Sequence, residues 1–225
     1  MERQYDIITF DCYGTLIDWE GGISDAFLRA AREDGIDLRR EEILKAYALI
    51  EPVVERERYR TYKEVLTETA GRVAHALGWP LAYERATFLI SSLPQWKPFA
   101  DTNPALERLR NAGYKLGILS NIDDDLLAST RKHFTVDFDL IITAQQVHSY
   151  KPGHAHWIAA RERIGNARWL HAAQSNYHDV VPTNALGIAN AWVNRHGETA
   201  LPNGTPTHEV RNLAGLADLL AGMDL

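Results

Sequence analysis

Four polar clusters each follow a short apolar run in this chain. Asp11-Cys12-Tyr13-Gly14-Thr15 follows the run ending at Phe10, and Ser120-Asn121 follows the run ending at Leu119. Lys151-Pro152 comes a few residues after Leu140 to Thr143, and Gln174-Ser175-Asn176-Tyr177-His178-Asp179 follows Trp169 to Ala173. A carboxylate, a hydroxyl, an ammonium and a second carboxylate are the parts needed for covalent or acid–base catalysis. Taken singly, an aspartate after a strand is more often a turn or helix cap, because Asp is favoured in both. Four such clusters at successive strand ends are harder to explain that way.

The elements that must position these clusters are legible from periodicity. Tyr5 to Phe10 reads as a strand buried on both faces. From about Glu20 to Ser92 the pattern is helical. Tyr62, Val65, Leu66, Thr69, Ala70, Val73 and Leu77 fall on one face. An earlier helix near Glu41 to Arg58 should be kinked or interrupted at Pro52. After a proline-bearing connector the alternation resumes. The expected helices are Asn103 to Asn111 with Thr102 or Asn103 as N-cap, Asp124 to Lys132, Pro152 to Ile164, Val180 to Leu186 and Val210 to Ala221. The expected strands are Tyr114 to Leu119, Leu140 to Thr143, Trp169 to Ala173 and Ile188 to Val193. Strands alternating with helices imply an α/β fold with a doubly wound parallel sheet, whose site lies beyond the carboxyl ends of the strands. The all-helical block after the first strand reads as an insertion.

Bulk properties exclude several classes. The 225 residues suit one core carrying a smaller accessory domain. A net charge of -6 argues against a nucleic-acid partner. The opening MERQYDIITF lacks the long apolar stretch of a signal peptide, and no run approaches the roughly 20 apolar residues of a membrane span, so a cytoplasmic location and no membrane partner are expected. The single cysteine, Cys12, rules out an internal disulfide and a multi-cysteine zinc site; it reads as buried packing beside Asp11.

The ordered set of clusters resembles the haloacid dehalogenase superfamily along nearly the whole chain. Phe10-Asp11-Cys12-Tyr13-Gly14-Thr15-Leu16 matches its first motif and Leu119-Ser120-Asn121 its second. Lys151-Pro152 matches the third, and Ser175-Asn176 with Asp179 the fourth. The resemblance implies a Rossmann-like core over residues 1–17 and 96–225, and a helical cap domain over 18–95.

The resemblance also bears on the chemistry. Phosphatases of this superfamily carry an acid–base aspartate two residues after the nucleophile. Here that position is Tyr13, whose reference pKa near 10 suits the task poorly. The D-x-Y-G-T form resembles the L-2-haloacid dehalogenase (type II) branch, in which the leaving halide needs no proton. The implied mechanism has Asp11 displace halide from C2 of a short 2-haloacid, after which water hydrolyses the aspartyl ester. In it Lys151 holds Asp11 ionised, and Thr15, Ser120 and Asn121 supply hydrogen bonds to Asp11 or to the substrate carboxylate. Asp179, with Ser175 or Asn176, positions the water. Tyr13 and Trp157 are expected at the substrate, Trp157 standing where the branch has a tyrosine. Arg60 is a candidate for the halide-binding arginine of the cap, alongside Arg56 and Arg58, although pairing with nearby glutamates is the plainer reading of each. The branch needs no cofactor and no metal and takes a small-molecule substrate; it commonly dimerises, which makes a homodimer one possible assembly and leaves the oligomeric state open.

Two rival readings follow from the same residues. A magnesium-dependent phosphatase would use Asp11 and Asp179 as oxygen ligands to Mg²⁺. A non-catalytic binding module would keep the fold without turnover. The His154-Ala155-His156 pair lacks an evident third ligand for a metal. Asp123-Asp124-Asp125 reads as a helix start rather than a calcium site.

Overall fold

A computed structural model describes residues 3–222; residues 1, 2 and 223–225, at the ends of the expected core, lie outside the described residues. Six strands form one all-parallel sheet: β1 (Ile7–Phe10), β2 (Lys115–Ser120), β3 (Leu140–Thr143), β4 (Trp169–Ala173), β5 (Ala189–Val193) and β6 (His208–Val210). Their order is β3-β2-β1-β4-β5-β6. The chain winds outward from β1 to β3, crosses back to β4 and winds outward the other way. The reversal falls between β1 and β4, the switch point at which doubly wound sheets bind ligands. Ile8, Phe10, Leu116, Ile118, Leu170, Ala172 and Ala191 are fully buried. That matches strands covered on both faces.

The helices are α1 (Trp19–Glu33), α2 (Arg40–Glu57), α3 (Tyr62–Ala76) and α4 (Phe88–Ser92) after β1, and α5 (Thr102–Asn111) before β2. Then come α6 (Asp124–Thr130), α7 (Ala144–Val147), α8 (Ala155–Ile164), α9 (Val181–Ala185) and α10 (Leu213–Ala221). Two compact units result. One holds residues up to Ile17 with Pro98–Asn121 and Lys132 onward; the other holds Asp18–Lys97 and Ile122–Arg131.

In the helical unit, Thr61 and Glu64 close a capping box at the start of α3. The buried Asp123 adds a second cap, its carboxylate accepting from the backbone N–H of Tyr62 at 2.9 Å and of Lys63 at 3.0 Å. Asp123 does stand at a helix start, but its side chain caps α3 rather than α6. That pairing, with Lys63 on Asp125 at 2.6 Å, ties residues 122–131 into this unit.

Several expectations need correcting. Pro52 does not interrupt α2, which runs unbroken with Ile43, Tyr47, Val54 and Glu55 buried; tertiary packing outweighs the one backbone bond that proline removes. Neither Thr102 nor Asn103 caps α5. Thr102 donates to the Leu16 carbonyl at 2.8 Å, and the Asn103 amide bridges to His133 and Thr135. Residues 208–210 form an edge strand rather than the start of the last helix. A single π-helical turn, Asn176–Val180, precedes α9.

The helical unit holds an unusual half-buried carboxyl group. Tyr62 Oη donates to Glu51 Oε1 at 3.1 Å beside the buried Tyr47. Burial, partly offset by that hydrogen bond, pushes Glu51 up to about 7 from an ordinary 4.5. A carboxyl raised by folding stabilises the native state below its unfolded value and loses that contribution as pH rises through the folded one. Glu51→Gln should therefore raise Tm at pH 8 relative to the wild type, by about 2–4 °C for each kcal/mol recovered. The difference should vanish below pH 4.5 in a calorimetric pH series.

Candidate active site

The loop after β1 is shaped by its own backbone. Leu16 and Ile17 N–H groups both return to the Cys12 carbonyl, and Gly14 takes φ 96°, a left-handed value that glycine adopts without a side-chain clash. This turn brings Thr15 back over Asp11. Thr15 Oγ1 donates to Asp11 Oδ2 at 3.0 Å and accepts from the Gln174 backbone N–H at 2.9 Å. The hydroxyl thus links the loops after β1 and β4, across the switch point.

Lys151 stands between the two carboxylates. Its Nζ donates to Asp11 Oδ1 at 2.8 Å, to Asp179 Oδ1 at 2.7 Å and to the Leu119 carbonyl at 3.0 Å, which uses all three ammonium hydrogens. The side chain is 2% exposed, and Asp11 and Asp179 are 8% and 1% exposed as residues. Burial opposes the ammonium charge, but the two aspartates outweigh it and the Lys151 pKa lies above its usual value. Burial likewise opposes the Asp179 charge, yet Lys151 and the His171 hydrogen bond hold Asp179 well below the carboxylate range. Asp11 goes the other way: burial pushes it up, the Asp179 charge adds to the rise, and Lys151 only partly compensates. Folding thus moves the two carboxylates in opposite directions.

The remaining expected site residues divide by what they hold. Asn121 spends both ends of its amide on the Lys151 backbone, donating to its carbonyl at 3.0 Å and accepting from its N–H at 2.7 Å; the Lys151–Pro152 peptide is cis. Ser120 is buried, and its carbonyl accepts from His156 Nε2 at 3.2 Å. Ser175 caps the π-helical turn, its Oγ accepting from the His178 N–H at 3.0 Å. Asn176 donates to Gly204 O at 2.8 Å and accepts from Leu201 N–H at 3.1 Å; a Cβ at Gly204 would collide with it. Trp157 is buried with its ring 6.0 Å from Lys151 Nζ. Tyr13 is half-buried in the loop after β1, and Cys12 is fully buried. Arg60 belongs to the helical unit and pairs with Glu57 at 2.8 Å.

Sequence reasoning passed over several residues here. Half-buried Trp169 and buried Thr9 and His171 form a hydrogen-bonded series ending on Asp179. The signal was a histidine inside the apolar run Trp169–Ala173. Arg195 donates to the Thr15 carbonyl at 2.9 Å, pairs with Asp101 at 3.2 Å and stacks 3.9 Å from the Phe99 ring centroid. Its place after β5 puts it with the other strand-end residues.

Among the described residues no group of three or more His, Cys, Asp or Glu side chains is gathered for an ion. The space between Asp11 and Asp179 is bridged by an ammonium. His156 is buried with its pKa lowered to about 3 by burial, with the Lys151 charge adding, and its Nε2 is committed to a carbonyl. It is a core histidine.

Removing the cation should expose how much the centre depends on it. Lys151→Met leaves two buried carboxylates uncompensated, which costs about 3–5 kcal/mol. Urea denaturation at pH 7 should show that loss, and adding Asp179→Asn to the same variant should recover part of it.

The sequence pattern of the haloacid dehalogenase-like hydrolases matches residues 5–181. The chain is 27% identical over 227 residues to an (S)-2-haloacid dehalogenase of Pseudomonas putida, covering 95% of each. It is 28% identical over 219 residues to (S)-2-haloacid dehalogenase 4A of Burkholderia cepacia, covering 94% of this chain and 93% of that one. In fold it is similar to the L-2-haloacid dehalogenase of Xanthobacter autotrophicus with chloropropionic acid covalently bound. That comparison has a TM-score of 0.80 at 21% identity and covers 98% of this chain and 100% of the other.

Proposed function

The chain belongs to the haloacid dehalogenase-like hydrolase family, and on that premise we propose that it hydrolyses the carbon–halogen bond of short 2-haloacids through an ester formed on Asp11. The observation that carries this reading is the asymmetry of the two carboxylates around Lys151. Asp11 opens the sequence motif that ends in Thr15 and has one oxygen held by Thr15 and the other by Lys151; Asp179 takes both its hydrogen bonds on Oδ1 and has an oxygen, Oδ2, buried without a hydrogen-bond partner.

Two steps use these differences. Asp11 attacks C2 of the substrate, a carbon–oxygen bond forms as the carbon–halogen bond breaks, and halide leaves with the bonding pair. Lys151 and Thr15 hold one oxygen each of Asp11, which fixes the carboxylate for in-line attack. Water then adds to the Asp11 carbonyl carbon and the acyl–oxygen bond breaks; one water proton goes to the departing oxygen to give the 2-hydroxy acid, the other is released to solvent, and Asp11 is restored as the carboxylate. Asp179 Oδ2 is the acceptor that orients this water. Because halide leaves as a weak base, the half-buried Tyr13 has no proton to supply. The reaction needs no cofactor. Trp157 supplies apolar wall, and Asn121 and Asn176 act by holding Lys151 and the 201–204 loop.

Halide release from 2-chloropropionate should proceed equally with magnesium or with a chelator present. Activity confined to phosphate esters and dependent on magnesium would establish the phosphatase reading instead. Asp11→Asn should cost on the order of 10⁴-fold or more in turnover, the scale of losing a nucleophile. In H₂¹⁸O under single-turnover conditions, label should enter Asp11; label found only in product would exclude an ester on the enzyme.

The acid limb gives a separate check. The nucleophile reacts as the carboxylate, and Asp11 lies above the ordinary 3.8. The profile of kcat/KM against pH should therefore fall on the acid side with a midpoint above 3.8.

A further inference from the structure

His171 lies in the middle of β4, fully buried, with both ring nitrogens engaged. Nε2 is 3.0 Å from Asp179 Oδ1, and Nδ1 is 2.8 Å from Thr9 Oγ1. Thr9 Oγ1 in turn accepts from Trp169 Nε1 at 2.7 Å. Donor chemistry assigns the hydrogens. An indole N–H can only donate, and an ionised carboxylate can only accept. The Asp179 end thus requires the hydrogen on Nε2. With the ring neutral, Nδ1 is an acceptor and takes the Thr9 hydroxyl hydrogen. Every bond then points one way, from Trp169 through Thr9 and His171 to Asp179. Burial lowers the His171 pKa, against the pull of Asp179, and so favours the neutral ring. The Trp157 ring packs edge-on to the imidazole, centroids 4.7 Å apart at 83°, and fixes its plane.

The consequence falls on Asp179. Its Oδ1 receives two hydrogen bonds, from His171 and from Lys151, while its buried Oδ2 receives none from the protein. We propose that His171, set by the Trp169–Thr9 relay, is a positioning residue for the second half-reaction: it pins Asp179 by Oδ1 and so presents Oδ2 to the hydrolytic water. This deepens the dehalogenase reading and rests on it for the identity of the step. Lys151 touches both aspartates and therefore serves both half-reactions; His171 touches only Asp179 and should serve one.

That difference separates a positioning role from a structural one. kcat/KM reports events up to the first irreversible step, halide departure, whereas kcat includes ester hydrolysis. With 2-chloropropionate, His171→Leu should lower kcat by roughly 10–100-fold, the scale on which groups that orient a reacting residue act. kcat/KM should change less than about threefold, and intact-protein mass spectrometry should show the ester accumulating in the steady state. His171→Gln, which keeps a donor towards Asp179, should restore most of kcat. Thr9→Val leaves the ring in place and removes only the relay; it should lower kcat in the same direction, with Thr9→Ser restoring it. Equal losses in kcat and kcat/KM, with no ester build-up, would overturn the proposal.

The resting protein supplies an independent reading. ¹⁵N spectra of histidine-labelled protein at neutral pH should show His171 protonated at Nε2 and bare at Nδ1. A protonated Nδ1 would overturn the relay whatever the substrate. Failure of the wild type to release halide would instead sink the dehalogenase reading, and the two failures are distinguishable because the tautomer is read without substrate.

Discussion

A buried ammonium shared by two buried carboxylates is the interaction on which the rest of this centre depends. Two aspartates and one lysine leave an excess negative charge in a region from which water is largely excluded, and each isolated ion there would be strongly unfavourable. The arrangement holds because every ammonium hydrogen has a partner and because the neighbours of each carboxylate differ. Asp179 collects hydrogen bonds from Lys151 and His171 on one oxygen and is stabilised as the anion. Asp11 has Lys151 and the Thr15 hydroxyl, but burial prevails and leaves it more basic. One cation thus creates two carboxylates of unlike character, a division of labour that environments rather than residue types produce.

The parallel sheet makes that geometry available. β1 and β4 pair directly, with Phe10 opposite Ala172, so Asp11 and the turn leading to Asp179 emerge side by side. Lys151 arrives from the far side of β3, and its position is not set by the sheet alone. Asn121, at the end of β2, grips its backbone from both sides and converts a loop residue into a fixed one. Arg195, after β5, does the corresponding work for the loop after β1 by holding the Thr15 carbonyl. Residues that follow five strands therefore build and stiffen a centre whose reacting atoms come from two of them, as preorganisation requires.

How much of this was legible in the sequence varies by the range of the interaction. Strand ends and their polar clusters are local features, and Asp11, Thr15, Lys151 and Asp179 come together as the alternation of strands and helices requires. The partners of the amides were not legible. The family resemblance put Asn121 at Asp11 or the substrate carboxylate and Asn176 with Asp179 at the water; an amide after a strand carries no mark of its other partners, and both are engaged by distant backbone. Pro52 does not interrupt its helix because packing overrides local propensity, and the edge strand at 208–210 is too short to show a period. His171 was passed over for a different reason. A histidine in an apolar strand is usually core, and only three-dimensional pairing shows that its two nitrogens join a threonine of β1 to a carboxylate of the site.

The same contrast explains why Tyr13 can stand where a second acid–base aspartate would otherwise be needed. A phosphate ester leaves as an alkoxide and requires a proton, so its enzyme must hold an acid near the leaving oxygen. A halide asks for none, and the demanding step moves to the ester, where water must be directed at a carbonyl carbon beside an ammonium. Each carboxylate receives two hydrogen bonds, but those of Asp179 both fall on one oxygen, and the relay from Trp169 through Thr9 and His171 runs to it rather than to Asp11. A buried oxygen left without a donor is unfavourable by about 1–3 kcal/mol, a cost that a hydrogen-bonded water offsets. Asp179 Oδ2 is such an oxygen, and a reacting water is the partner whose chemistry fits the position.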